Sequence, residues 1–369
     1  MSGNTFGKIF KITTFGESHG SALGGIIDGV PAGIKIDQTK IQAALDRRRP
    51  GQSAGGHANA SVTARKESDK IEILSGVFEE KSEGTSIGFI IRNESQHSKD
   101  YSNLANTFRP GHADLSYFLK YGFRDYRGGG RSSGRETAVR VAAGEVARQV
   151  LEHFCPQIKI TAYTQRAAGI SIQKTDFSQI EQNALRAPDN YAAAKMNEKI
   201  EELRKNGDSA GGIIACSVTG LPAGLGECVF DKLDALLAHA ILSIGAVKGI
   251  EFGAGFEAAD LTGSTNNDIM RANSDGSKVE FLTNNAGGIL GGISNGNEIF
   301  FRVAVKPVPS IFKEQQTVSI DENGKFHNEN LKIEGRHDVC LCPRIVPVIE
   351  AMTAVTLCDL FLQNQAGRI

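Results

Sequence analysis

Five short stretches of the 369-residue chain hold residue types that could do chemistry. In the first, Gly16 and Gly20 bracket Glu17, Ser18 and His19, a turn that would present a hydroxyl beside an imidazole. An imidazole near its ordinary pKa can hand a proton to a departing oxyanion, although a lone loop histidine is more often surface decoration. The second is dense in arginine. Arg47, Arg48 and Arg49 close one expected helix, where cations complement the dipole. Arg124, Arg127, Arg131, Arg135 and Arg140 crowd around Gly128, Gly129 and Gly130 ahead of another. Glycine-freed amides, a helix start, the hydroxyls of Ser132 and Ser133 and guanidinium forks together suit phosphate or carboxylate. In the third, Arg109, Pro110, Gly111, His112 and Asp114 form a turn with a second candidate acid at a helix start. The fourth, Arg336, His337 and Asp338, leads into an apolar C-terminal stretch. The fifth, Gly287 to Gly296 with Lys306 and Pro307 after a strand, is a hairpin plus a basic residue and is nonspecific by itself.

Several chemistries are disfavoured. His337 and Asp338 carry no HExxH or Cys/His spacing, which weakens a metal-dependent phosphatase. No GxxxxGK[ST] occurs, and the most Rossmann-like string, Gly253, Gly255 and Ala258, runs into AADLTGSTNN rather than a helix. With 41 Lys plus Arg against 42 Asp plus Glu, the net charge of -1 gives no long-range field for nucleic acid or membrane, so attraction to anions must be local. The 42 glycines exceed ordinary usage and imply tight turns and backbone close to ligands. None of the six cysteines has CxxC spacing, and they are expected to be reduced and mostly core residues. The start, MSGNTFGKIFK, lacks the apolar stretch of a secretory signal, and a cytoplasmic location is expected.

These groups need strands and helices to position them. Strands are expected over residues 8–15, 24–30, 71–78, 86–92, 158–163, 211–219, 249–252 and 298–305, and helices over 38–47, 136–154, 193–205 and 344–362. A further helix should follow Asp231 as N-cap, with Leu233, Leu236, Leu237, Ala240, Ile241 and Ile244 on one stripe. The helix over 344–362 is apolar nearly all round, as a core or interface helix would be. GGIIDGVPAG at Gly24 is echoed by GGIIACSVTGLPAG at Gly211, and IEILSGVF at Ile71 by IEFGAGF at Ile250, which suggests two related halves. No Pro- or Ser-rich linker separates them, so one domain over 1–369 is expected. Residues 50–61 and 262–285 look like long polar loops.

Three strings carry a specific resemblance: GESHGSALGGIIDGVP from Gly16, RSSGRETAVRVAAG from Arg131 and RHDVCLCPRIVPVIEAM from Arg336. FRPGHAD, DYRGGG and AGGILGGISNG add to it. From end to end the chain resembles the chorismate synthase family. The resemblance implies an α+β fold, a β-α-β sandwich with helices held between antiparallel sheets, and a homotetramer. It also implies a lyase that eliminates phosphate from 5-enolpyruvylshikimate 3-phosphate with reduced FMN and no net redox change. One class of the family reduces its own flavin, which makes NADPH a candidate reductant. By resemblance, His19 protonates the departing phosphate, His112 stabilises the reduced flavin, and Asp338 helps remove the ring proton. Ser18 and Ser133 tune these groups, while Arg48 and Arg135 grip the substrate. Flavin contacts map onto Arg131, Ser132, Ser133, Gly245, Ala246, Gly291, Lys306, Pro307, Val308, Pro309, Ser310 and Arg336. The chain departs from the family's pattern after RRRPG, where Ala54, Gly55, Gly56 and His57 stand in place of a further basic residue, and at Gly245, Val308, Pro309 and Glu145. An alternative class of function is a non-catalytic protein that holds a phosphometabolite with the same loops and has no need of His19, His112 and Asp338 together.

Overall fold

The computed structural model describes residues 3–49, 68–93, 105–333 and 337–367. Two five-stranded antiparallel sheets form its outer layers. In the first, Ala22–Asp28 pairs with Lys11–Gly16 on one side and Ile87–Arg92 on the other, with Thr5–Phe6 and Ile71–Ile73 at the edges. In the second, Gly212–Thr219 lies between Lys159–Ala167 and Ile299–Val305, with Ile170–Ser171 and Val247–Phe252 outermost. Alternation sets which face points inward. Ile87, Phe89 and Ile91 are buried in one sheet and Ile299, Phe301, Val303 and Val305 in the other, each set spaced by two.

Helices fill the space between. α1 (Gln38–Arg48) starts at Asp37, whose carboxylate accepts from the amides of Thr39 and Lys40. α2 (Asp114–Tyr121) stops at Gly122 in a left-handed conformation. α3 (Thr137–Phe154) packs on the first sheet, α7 (Cys342–Gly367) on the second, and the two pack on each other. A side chain at Gly144 would put its Cβ 2.4 Å from that of Ala351, so glycine is what lets these helices meet so closely. Residues 342–365 are apolar and long enough to cross a membrane, yet 94% of their most apolar stretch is buried inside the protein. That burial explains a helix hydrophobic on every side. α4 (Asn190–Lys205), α5 (Leu233–Leu242) and the single turn α6 (Gly263–Asn266) complete the set.

Both sheets show one topology. Lys11–Gly16, Ala22–Asp28, α1, Ile71–Ile73, Ile87–Arg92 and α3 follow the same spatial order as Lys159–Ala167, Gly212–Thr219, α5, Val247–Phe252, Ile299–Val305 and α7.

Some local expectations change. The strand expected over 71–78 breaks at Gly76, φ +79°, after which Val77–Phe78 pairs with Lys81–Ser82 instead. The stretch 262–285 is not all loop, since it holds α6 and a hairpin of Met270–Ala272 with Val279–Phe281. The N-cap of α5 is Lys232, while Asp231 pairs with Lys8. The cysteines agree with expectation: all six are free thiols and four are buried, with Cys155 half-buried and Cys228 exposed. The loop 50–61 lies outside the described residues.

Candidate active site

The first turns of α3 and α7 and the last residues of α1 and α5 open onto one cavity of about 870 Å³. Among the described residues its lining holds six arginines and two lysines against two acids, Glu136 and Asp338. Such an excess of donors suits ligands that bring several anionic oxygens. Lys306, whose Nζ donates to the carbonyl of Gly111, has its pKa lowered chiefly by burial and further by the nearby Lys248.

Arg48 is the last residue of α1 and is 1% exposed. It pairs with Asp69 at 3.0 Å, and Asp69 also holds Arg135 at 2.7 Å. Burial opposes ionisation of Asp69, but Arg48 and Arg135 outweigh it and keep the carboxyl below its ordinary range. Arg48 itself is lowered to about 10, chiefly by burial, with Arg344 and Arg135 adding to the effect and Asp69 opposing it. Its Nε is buried and has no acceptor among the described residues. A carboxylate or phosphate entering the cavity could supply one.

His112 sits on the loop before α2. Its Nδ1 lies 3.0 Å from the carbonyl of Pro110 and its Nε2 3.1 Å from the hydroxyl of Ser310. The carbonyl can only accept, so Nδ1 carries the proton and Ser310 donates to Nε2. Burial first, then Arg109, lowers the pKa of His112 to about 4, which leaves a neutral ring at pH 7. Arg109 is itself locked onto Asp114 by two bonds of 2.7 and 2.9 Å.

Asp338 precedes α7 and pairs with Arg344 in its first turn, and Nε of Arg344 donates to the carbonyl of Arg48 at 3.4 Å. Ser18 and His19 are buried just behind the wall, where the Ser18 hydroxyl meets Nδ1 of His19 at 3.0 Å. A Cβ at Gly128, which lines the cavity, would fall 2.1 Å from Cε1 of His19. Only a glycine there leaves His19 room to sit against the cavity.

Of the residues singled out in the sequence, Arg48, Arg131, Ser132, Ser133, Arg135, His112, Gly245, Ala246, Lys306, Val308, Pro309 and Asp338 line the cavity. Ser310 reaches it through His112. Arg131 also staples the first sheet, donating to the carbonyls of Gly16 and Thr14 at 3.1 and 3.2 Å. Gly291 lies in the hairpin Ile289–Leu290 with Ile293–Ser294 and does not line the cavity, nor does Pro307. Arg336 lies outside the described residues. Sequence reasoning passed over Asp69, Asn93, Lys248 and the pairing of Arg344. Asp69, Asn93 and Lys248 belong to none of the quoted strings, and Arg344 lies in RHDVCLCPRIVPVIEAM without its partner being readable there; Asp69 also has a left-handed backbone, φ +45°, which no residue pattern announces. Among the described residues no three His, Cys, Asp or Glu side chains converge as metal ligands would.

The chorismate synthase family model matches residues 10–362. The chain belongs to the chorismate synthase family. It is 51% identical to a chorismate synthase of Christiangramia forsetii and 52% identical to one of Maridesulfovibrio salexigens, over 100% of this chain and of each relative. A crystal structure of a chorismate synthase superposes with a TM-score of 0.75 at 30% identity, covering 97% of this chain and 93% of that one. The shared fold is the α+β arrangement described above, and family membership makes the chain a lyase of aromatic amino-acid biosynthesis.

Proposed function

We propose that the cavity converts 5-enolpyruvylshikimate 3-phosphate to chorismate by anti-1,4-elimination of phosphate, with reduced FMN bound beside the substrate. The observation that carries this reading is one cavity where a guanidinium cluster, Asp338 and His112 converge, with His19 behind Gly128. The donor excess, the unmatched Nε of Arg48 and a volume inside the roughly 300–1,000 Å³ range of cofactor sites fit a flavin and a small polyanion together. When bound, reduced FMN supplies electron density to the reacting carbon skeleton and takes it back, so no net redox change results.

The chain's own residues then have separable tasks. Arg48 and Arg135, fixed by Asp69, bind and orient the substrate's anionic groups. As the C–O bond breaks, phosphate leaves with the bonding pair and His19 protonates it, while Asp338 takes up the proton lost from the ring. His112 is neutral in the ligand-free cavity; developing negative charge near its ring favours its protonation, so it can stabilise an anionic partner. We assign Arg131, Ser132, Ser133, Gly245, Ala246, Lys306, Val308 and Pro309 to the flavin side, with Ser310 behind His112; the role expected of Arg336 falls outside the described residues. Ser18 tunes His19, and Ser133 the arginine side.

We assign the whole chain to one catalytic domain, working as a cytoplasmic homotetramer. Turnover measured anaerobically with reduced FMN tests the reaction, with phosphate and chorismate expected in equal amounts. Absence of both products from folded protein overturns it. Aerobic turnover with FMN and NADPH as sole reductant decides whether the protein reduces its own flavin.

A further inference from the structure

Residues Glu17 to Gly20 form a tight turn closed by a 3.2 Å bond from the amide of Gly20 to the carbonyl of Glu17, with Ser18 and His19 as its central pair. Asn93, just beyond the strand Ile87–Arg92, reaches across both ends of this turn. Its Nδ2 donates to the carbonyl of Glu17 at 2.9 Å and to that of Gly20 at 2.8 Å. Its Oδ1 accepts from Nε of Arg135 at 2.6 Å. The opposite amide orientation would set Oδ1 against two carbonyls and an N–H against a guanidinium donor, so the surroundings allow only this one. The main-chain N–H of Asn93 is tied to the carbonyl of Ser21 at 3.1 Å, which fixes the side chain's origin relative to the turn.

We infer that Asn93 is a positioning residue that holds the His19 turn in register with Arg135, so that the leaving phosphate and its proton donor meet at a set distance. From Asn93 the connection continues through Arg135 to Asp69 at 2.7 Å and on to Arg48 at 3.0 Å. One run of hydrogen bonds therefore links the proton donor's turn to both substrate-gripping arginines. Gly128 also abuts the turn, where any Cβ would displace His19. The turn is thus confined both by the contact at Gly128 and by the directed bonds of Asn93. This inference rests on the proposed role of His19 as proton donor.

The test is a double-mutant cycle read as phosphate release under anaerobic conditions with excess reduced FMN. Asn93→Asp keeps the size and the acceptor for Arg135 but sets carboxylate oxygen against the carbonyls of Glu17 and Gly20. It should lower turnover by about 10- to 100-fold, the scale of a misplaced reacting group, while substrate affinity stays within about threefold. In a His19→Ala background the same substitution should cost less than about threefold, because the group it positions is gone. Asn93→Ala serves as a second variant, and the cycle uses whichever retains the wild-type circular dichroism. Equal losses in both backgrounds, or wild-type turnover of Asn93→Asp beside a slow His19→Ala, overturn the inference and leave the His19 assignment standing. Wild-type turnover of His19→Ala removes that assignment and the inference with it.

Discussion

The two halves of the molecule share strand order and helix placement, yet they join their first two strands in opposite ways. In the first half residues 17–21 form a tight turn between Lys11–Gly16 and Ala22–Asp28, and that turn carries Ser18 and His19. In the second half residues 168–211 take a long excursion through α4, and nothing on it lines the cavity. A short connection holds its side chains by the geometry of the strands it joins, whereas a long one must be packed separately. The second half delivers its chemistry elsewhere: Asp338 before α7, Gly245 and Ala246 after α5, and Lys306 beyond Ile299–Val305. Ala246 has φ +73°, a costly conformation for a residue with a Cβ, and its carbonyl accepts from the amide of Lys306 at 3.0 Å. On the proposed assignment the first half grips the substrate and protonates the leaving phosphate, while the second supplies Asp338 as the proton acceptor and shares the flavin side with Arg131, Ser132 and Ser133.

If that division is right, disabling the second half's acid should leave binding to the first half intact. Asp338→Asn keeps the shape of the side chain but cannot accept a proton. Phosphate release, measured anaerobically with excess reduced FMN, should fall by roughly 10²- to 10⁴-fold while substrate and flavin still bind. Normal turnover would leave Asp338 a structural role, such as its pairing to Arg344.

The matching cut in the first half falls on Asp69. Asp69→Ala strands Arg48 and Arg135 without their shared carboxylate, and breaking a buried pair costs about 3–5 kcal/mol. Denaturant unfolding should show that loss, together with weaker substrate binding. A stable variant with unchanged affinity would mean that the two arginines are placed by something other than Asp69.

The seam between the halves gives a third, smaller test. Gly144→Val forces branched carbon into the contact with Ala351, and overpacking of this kind costs about 1–3 kcal/mol. The thermal midpoint should drop while the cavity residues stay in place, so residual activity at low temperature should persist. An unchanged midpoint would show that α3 and α7 can separate freely.

Legibility in the sequence follows the range of the forces involved. The strands with alternating apolar residues and the helices with one apolar face are visible because their periods are local, as in Ile87–Arg92 and α3. The hairpin Gln315–Ile320 with Phe326–Leu331 is not legible in the sequence, since FHNENL is largely exposed and has no apolar alternation between Phe326 and Leu331. Among site groups, Ser18, His19, His112 and Asp338 stand in compact motifs. Asp69 and Asn93 do not, because each acquires its meaning only from partners far away in the chain, Arg135 lying 66 residues from Asp69 and 42 from Asn93. Gly291 shows the reverse case, a residue picked out by motif that the fold leaves away from the cavity lining.

The finest comparison sets two glutamates against each other across the seam, Glu145 on α3 and Glu350 on α7. Both border a small cavity of about 230 Å³ with Lys40, Arg47 and Arg148. Glu350 is buried, which would raise its pKa, but Arg47 at 2.6 Å and Arg148 at 3.8 Å outweigh burial and lower it. Glu145 has only Arg148 at 3.5 Å, with Lys40 farther off and Gln149 as a weak donor, so burial wins, Glu152 adds repulsion, and its pKa rises to about 7. The unfolded chain releases this proton near the ordinary value of 4.5, and the folded chain holds it until about 7. Folding stability should therefore fall as pH rises from about 4.5 to 7 and stay level above, by about 3 kcal/mol from this group. Glu145→Gln removes the proton and the dependence with it. Its thermal midpoint should match the wild type near pH 4.5 and exceed it by about 2–4 °C above pH 7. Curves that run parallel across the whole range would show that Glu145 ionises in the folded protein as readily as in water. Glu350→Gln should do the opposite, destabilising at neutral pH by about 3 kcal/mol, since it leaves Arg47 and Arg148 without the charge that α7 supplies.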